Sequence, residues 1–135
     1  MPKILVIDDE PSIRDLLDTL LTQKGFHVVL ADSGQKGLEI YRRARADVIV
    51  LDLKMPGMDG LAVLQQVHQL NPKQPVVMLT GAGSPEAEQR ARALGVTEYV
   101  EKAFSLHLIG DTLQRLLPVN PSSSMRRTGT PLLAS

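Results

Sequence analysis

The sequence predicts an α/β fold built on a doubly wound five-stranded parallel sheet, and three observations point to it. Five short β-prone runs, at residues 3–7, 26–31, 47–51, 76–79 and 97–100, alternate strictly with five segments of helical periodicity. Each helix is about ten to fourteen residues long, which suits a right-handed crossover to a parallel neighbour and a sheet covered on both sides. The chain of 135 residues is 43% hydrophobic, with no Trp and only two Phe and two Tyr, so it holds one domain with an aliphatic core.

The first run, KILVI at 3–7, is continuously apolar, as befits a strand buried on both faces. Asp8-Asp9-Glu10 end it, and Pro11 sits where a first helical turn accepts a residue without an N–H. Ile13, Leu16, Leu17, Leu20 and Leu21 mark the apolar face of the first helix, which Gly25 closes. FHVVLA at 26–31 reads as the second strand. Ser33 is placed to cap a helix that runs to about Arg43 and turns Leu38 and Tyr41 inward.

DVIVL at 47–51 is the third strand and delivers Asp52 at its carboxyl end. A proline and two glycines make the segment 54–60 a loop, and Asp59 is better placed to cap the next helix than to hold an ion. Leu61, Leu64 and His68 space that helix, which ends near Asn71-Pro72. VVML at 76–79 leads to Thr80, and Gly81-Ala82-Gly83 follows as a loop of minimal side chains. Ser84-Pro85-Glu86 opens a fourth helix: a cap, a proline at the first position and an acid in the first turn. Its inner stripe is thin, only Ala87, Ala91 and Leu94, and Gly95 stops it. TEYV at 97–100 is a short fifth strand; after Glu101-Lys102, Ile109, Leu113 and Leu116 space a last helix. The domain is expected to span residues 1–117. The Pro-, Ser- and Thr-rich stretch 118–135 is expected to be a disordered tail or truncated linker.

Basic and acidic residues balance at 15 each, so no net field favours nucleic acid or an acidic membrane. The absence of cysteine removes disulfides, thiolate metal sites and thiol nucleophiles. The apolar start is cut short by three acids, which suits neither a signal peptide nor a membrane span. A cytoplasmic domain is expected, with no direct nucleic-acid or membrane partner. His27, His68 and His107 are scattered and form no ligand set. The glycine-rich segment follows the third strand instead of the first, and no GxxxxGK[ST] segment exists, so direct ATP binding is not expected.

In an open parallel sheet, function gathers outside the carboxyl ends of the strands. Asp8 and Asp9 end the first strand, Asp52 the third and Thr80 the fourth, and Lys102 lies just past the fifth. Three carboxylates converging at one edge repel one another unless a cation intervenes. A donor set made of oxygen alone points to a hard cation, with Mg²⁺ the default. Lys102 is placed to neutralise a transferred oxyanion and Thr80 to donate a hydrogen bond to it. Taken singly, an acid after a strand is often a helix cap, a terminal Thr reflects β-propensity and a Lys is surface charge. The joint placement carries the argument, because independent caps would not all fall at one edge of the sheet.

ILVIDDE at 4–10, VLDLKMPGMDG at 50–60, VVMLTGA at 76–82 and YVEKAF at 99–104 resemble the receiver domain of two-component response regulators, over roughly residues 3–117. The resemblance implies a CheY-like, flavodoxin-like sheet ordered 2-1-3-4-5. It implies that Asp8, Asp9 and Asp52 hold Mg²⁺, with the backbone carbonyl of Lys54. It further implies that Asp52 accepts phosphate from a histidine kinase or histidine phosphotransfer protein, and that Thr80 and Lys102 contact the phosphoryl oxygens. Tyr99 matches the aromatic that changes orientation when the threonine moves. The switching surface would be the face of the fourth helix, fifth strand and last helix, which would meet an output partner. Intrinsic autophosphorylation and autodephosphorylation are implied as well.

Other readings fit less well. A phosphatase of the haloacid dehalogenase type needs a second aspartate two residues past the nucleophile, and Lys54 stands there. A flavodoxin-like carrier would have to cradle a phosphate in an acidic pocket. A degenerate receiver, acting only as a phosphorylation-independent binding module, would not need the intact set of Asp8, Asp9, Asp52, Thr80 and Lys102. One neighbour departs from the family: Ala103 stands where receivers usually have proline after the lysine. A cis bond costs about 2.5–4 kcal/mol before a residue other than proline, so the Lys102–Ala103 peptide is expected to be trans and Lys102 slightly displaced.

Overall fold

The computed structural model describes residues 2–81, 84–102 and 106–117. The elements run β1 (Lys3–Ile7), α1 (Pro11–Gln23), β2 (His27–Ala31), α2 (Gly34–Arg43), β3 (Val48–Asp52) and α3 (Gly60–Leu70). They continue with β4 (Val76–Thr80), α4 (Pro85–Ala93), β5 (Glu98–Glu101), a single 3₁₀ turn (Leu106–Leu108) and α5 (Ile109–Leu116). The strands form one parallel sheet in the order β2-β1-β3-β4-β5, the order that the resemblance implied.

Period-two alternation splits the strand residues between two cores. Leu5, Ile7, Ile49, Leu51, Val76 and Met78 face α2, α3 and α4 through Leu38, Tyr41, Leu64, Val67 and Ala91. Ile4, Val6, Val48, Val50, Val77 and Leu79 face α1 and α5 through Leu17, Leu21, Ile109 and Leu113. β3 and β4, buried along their whole length, occupy the middle of the sheet and carry Asp52 and Thr80 as their last residues.

Local signals behave as their chemistry dictates. Ser33, Asp59 and Ser84 cap α2, α3 and α4 by accepting from the amides of Lys36, Ala62 and Ala87 at 3.0–3.1 Å. Asp59 is thus a cap and stands outside the acidic cluster described below. Gly25 and Gly95 end α1 and α4 with φ of 91° and 92°, a conformation that costs glycine little. Two readings need correction. The third strand is Val48–Asp52, one residue later than the expected 47–51, with Asp52 at its carboxyl end as expected. Leu16 does not join the buried face of α1: it is 43% exposed, because it lies about 100° around the helix from Leu17.

At the edge of the sheet away from Asp52, Tyr41 donates to Gln74 Oε1 at 2.7 Å, and Gln74 Nε2 donates to the carbonyls of Asp47 and Pro75. This buried polar network ties α2 to the start of β3 and β4. His68 spans Leu94 O and Gln74 O with its two ring nitrogens, 2.8 and 2.9 Å away, so it serves as a bridge within the fold. Among the described residues no helix is long and apolar enough to cross a membrane. The tail 118–135 and the Lys102–Ala103 peptide lie outside the described residues.

Candidate functional site

The carboxyl ends of β1 and β3 are neighbours in the sheet, so Asp8 and Asp52 meet there because of topology alone. One carboxylate oxygen from each of Asp8, Asp9, Glu10 and Asp52 lies within 4.8 Å of the others. Asp8 is fully buried and Asp52 is 3% exposed, whereas Asp9 is half-buried and Glu10 exposed. Lys102, just past β5, sends its ammonium into this cup. Nζ stands 2.7 Å from Glu10 Oε1, 3.0 Å from Asp8 Oδ2 and 3.3 Å from Asp52 Oδ1.

Backbone contacts set the orientation of the cup. The Asp8 amide donates to Ala31 O at 3.1 Å, and Asp8 Oδ1 accepts from the Glu10 amide at 2.9 Å. Arg14 Nη1 donates to the Asp8 carbonyl at 2.8 Å, which anchors the loop to α1. Oδ2 of Asp8 is buried and has no hydrogen bond among the described residues; Lys102 balances its charge at ion-pair distance without hydrogen-bond geometry. Asp52 Oδ1 accepts a long hydrogen bond from the Lys54 amide at 3.4 Å. The Lys54 side chain itself is exposed.

Electrostatics follow from this crowding. Burial, and then the charge of Asp8, push the Asp52 carboxyl up from 3.8 to about 7; Lys102 opposes the rise and the nearby Asp9 carboxyl adds to it. Burial alone would lower the Lys102 ammonium, but its hydrogen bond to Glu10 and the close carboxylates of Asp8 and Asp52 outweigh it and raise the value. One ammonium does not neutralise four carboxyl groups. A hard divalent cation fits what remains: an oxygen-only donor set and a buried Asp8 oxygen that lacks a hydrogen bond.

Thr80 ends β4 one residue beyond Leu79, the partner of Asp52 across the ladder. It is 1% exposed, and its hydroxyl has no hydrogen-bond partner among the described residues. Tyr99 lies on β5 opposite Met78, half-buried, and its hydroxyl is likewise buried and without a partner there. The structure therefore brings Asp8, Asp9, Asp52 and Lys102 together at one edge, with Thr80 at the end of the next strand. The Lys54 contact that it shows is through the amide. Glu10 is the member that sequence reasoning missed. It read as the residue that ends an apolar run, although its place in Asp8-Asp9-Glu10 put a third acid in the same short loop.

A buried carboxylate at the end of a central strand, ringed by acids and met by one ammonium, defines a site for an anionic electrophile together with a divalent cation. The model of the response regulator receiver domain family matches residues 4–114, and the chain belongs to that family. Its function is that of a receiver, a phosphoacceptor domain of two-component signalling whose acidic cluster suits aspartyl-phosphate chemistry. Receivers as a class work with histidine kinases or phosphotransfer proteins.

Sporulation initiation phosphotransferase F of Bacillus subtilis is 32% identical over 117 residues, which cover 87% of this chain and 94% of that protein. Several transcriptional regulators that it also matches are longer, and the chain spans only 27% to 52% of their length. Among solved structures, the Vibrio cholerae chemotaxis protein CheY4 superposes with a TM-score of 0.81 at 36% identity, covering 87% of this chain and 99% of that one. The response regulator TrrA of Thermotoga maritima, solved in complex with Mg²⁺ and BeF, gives a TM-score of 0.78 at 31% identity, over 87% of this chain and all of that one.

Proposed function

We propose that Asp52 is the nucleophile of this receiver, that Mg²⁺ is its cation, and that a histidine kinase or histidine phosphotransfer protein is its phosphoryl donor. The observation that carries this reading is the contact of Lys102 Nζ with Asp52 Oδ1, 3.3 Å, inside a cup of three further acids. Oδ1 meets both Lys102 and the Lys54 amide, which leaves Oδ2 as the oxygen that would attack. A new O–P bond forms at Oδ2, the P–N bond to the donor imidazole breaks, and the imidazole leaves neutral, keeping the proton already on its other ring nitrogen.

Asp8, Asp9 and Asp52 would hold the cation, with the Lys54 carbonyl as the resemblance implies. When bound, the ion screens the repulsion between a carboxylate and an anionic phosphoryl group. It would also favour the ionised, nucleophilic form of an Asp52 that is otherwise half protonated near neutrality. Lys102 balances the equatorial oxygens. Thr80 donates its unpartnered hydroxyl to one of them, and Tyr99 moves into the space that the threonine vacates.

The α4–β5–α5 face is then the surface that reports phosphorylation to an output partner. The thin apolar stripe of α4, with Ala91 as its one fully buried residue, suits an element that shifts easily. The domain would catalyse its own phosphorylation and dephosphorylation, and a cytoplasmic location would give it access to a kinase. The test is to incubate the protein with acetyl phosphate and Mg²⁺ and weigh it intact. One added phosphoryl group, lost in Asp52→Asn, is the expected result. No mass gain, or an equal gain in D52N, would point instead to a phosphorylation-independent binding module or to another acceptor.

A further inference from the structure

Of the three carboxylates that hold Lys102, the nearest is the one that the family's chemistry does not call on. Glu10 Oε1 lies 2.7 Å from Nζ, closer than Asp8 Oδ2 at 3.0 Å or Asp52 Oδ1 at 3.3 Å. It is also the only one of the three at the surface, with a side chain 55% exposed against 0% and 4% for the others.

Glu10 stands at the N-cap of α1, yet its side chain makes no capping hydrogen bond, and Pro11 has no N–H to offer it. The carboxylate is therefore not spent on the helix end. Its amide, meanwhile, donates to Asp8 Oδ1 and turns Oδ2 toward the cup. One residue thus orients Asp8 through its backbone and Lys102 through its side chain.

As described, the ammonium and a divalent cation want the same oxygens. A cation that enters between Asp8 and Asp52 repels Lys102 from both, since like charges this close do not share a buried site. Among the described residues, Glu10 is the one partner of Lys102 that stays outside the buried part of the cup. We propose that Glu10 is a positioning residue: it holds the Lys102 ammonium at the rim while Mg²⁺ occupies the cup, and releases it to the phosphoryl oxygens once they arrive. This rests on the reading of the site as a Mg²⁺-dependent phosphoacceptor. Without Glu10, Lys102 has no partner at the rim, stays on Asp8 and Asp52, and competes with the metal.

The test is the Mg²⁺ dissociation constant of the unphosphorylated protein, measured by calorimetric titration for wild type, Glu10→Gln, Lys102→Met and the double variant. Glu10 is exposed, so E10Q leaves the fold intact, and Met keeps the aliphatic stem of Lys102. E10Q should weaken Mg²⁺ roughly five-fold in the wild-type background and by less than about two-fold beside K102M, a coupling that requires Glu10 to act through Lys102. An equal loss in both backgrounds would make Glu10 a plain negative charge or a ligand and overturn the proposal, as would no loss in wild type or a wild type that does not bind Mg²⁺.

A second readout follows the Lys102 side chain by ¹⁵Nζ NMR in saturating Mg²⁺. It should be held in wild type and averaged to a free-lysine signal in E10Q; identical signals would also overturn the proposal. Neither measurement needs phosphoryl transfer. A wild type that binds Mg²⁺ with the expected coupling but gains no phosphoryl group refutes the phosphoacceptor role alone, while normal phosphorylation without coupling refutes only the role of Glu10.

Discussion

Gly60 stands directly against the backbone of Asp52. Its amide donates to the Leu53 carbonyl at 2.8 Å. A Cβ built on it would run into the Asp52 carbonyl oxygen, with Leu53 Cα 2.8 Å and the Asp52 carbonyl carbon 3.1 Å away. The first turn of α3 is thereby pressed onto the end of β3, and this contact fixes where the Asp52 side chain emerges. Backbone cannot yield as the end of a flexible side chain can. Gly60→Ala should therefore cost about 1–3 kcal/mol in urea unfolding and slow phosphorylation by acetyl phosphate by displacing Asp52. A variant with wild-type stability and rate would show that the loop absorbs the methyl group.

The charge of Asp52 sets a pH dependence with a definite sign. Its carboxyl is raised from 3.8 to about 7, first by burial and next by Asp8, so the folded protein holds that proton more firmly than the unfolded chain does. The resulting stabilisation is complete below the unfolded value and is lost as pH rises through about 7. In metal-free buffer, D52N lacks this titration. Its stability relative to wild type should therefore increase from about pH 5 to about pH 8, read from urea midpoints at each pH. Mg²⁺ should reverse the trend in wild type, raising its melting temperature more at the alkaline end than at the acid end. A wild type and D52N whose curves run parallel across that range would remove the buried-carboxylate argument.

How much of this was legible in the sequence depended on how local the cause was. Ser33, Asp59 and Ser84 were readable as caps because a cap and its amide lie three residues apart. Asp8, Asp52 and Thr80 were readable as a group because parallel strands put their carboxyl ends at one edge, so order along the chain becomes proximity in space. The pairing of Lys102 with Glu10 joins residues 92 apart through two flexible side chains, and no periodicity encodes it. Leu16 satisfied the helical pattern but lay at the margin of its apolar stripe, where the width of the covering surface decides burial. Helical spacing is enough to turn Tyr41 inward, yet its hydroxyl partner lies 33 residues further on.

That partner carries the third prediction. Tyr41 donates to Gln74 Oε1 at 2.7 Å in the buried network away from Asp52, and Arg45 lies over the ring, 4.8 Å from its centroid. Tyr41→Phe keeps the ring and its packing but leaves a buried amide oxygen without its donor, a loss of about 1–3 kcal/mol. Adding Gln74→Met should recover part of it by removing the stranded acceptor. Thermal melts read the stability, and phosphorylation by acetyl phosphate should proceed at the wild-type rate in Y41F. A large change in rate would mean that the two edges of the sheet are coupled.

Thr80 ends β4 with a hydroxyl that has no partner among the described residues, a state that the proposed phosphoryl group would satisfy. Its side chain is almost wholly buried, and its hydroxyl and that of Tyr99 both lack hydrogen-bond partners among the described residues. A buried hydroxyl left unpaired costs about 1–3 kcal/mol, so Thr80→Val, which keeps the β-branched shape, should leave the unphosphorylated protein as stable as wild type or raise it by about 1 kcal/mol in urea unfolding. The phosphorylated state should respond in the opposite sense. T80V keeps Asp52 and Lys102 and should still take up a phosphoryl group, but it has no hydroxyl to draw toward the new oxygens. With both tyrosines fluorinated, ¹⁹F NMR separates the outcomes, because Tyr41 lies at the far edge and serves as an internal reference. In wild type the Tyr99 resonance should move on phosphorylation while that of Tyr41 stays; in T80V both should stay. If T80V instead loses stability before any phosphate is added, the hydroxyl already has a partner and Thr80 is a structural residue. If Tyr99 still moves in phosphorylated T80V, the signal reaches β5 by another route.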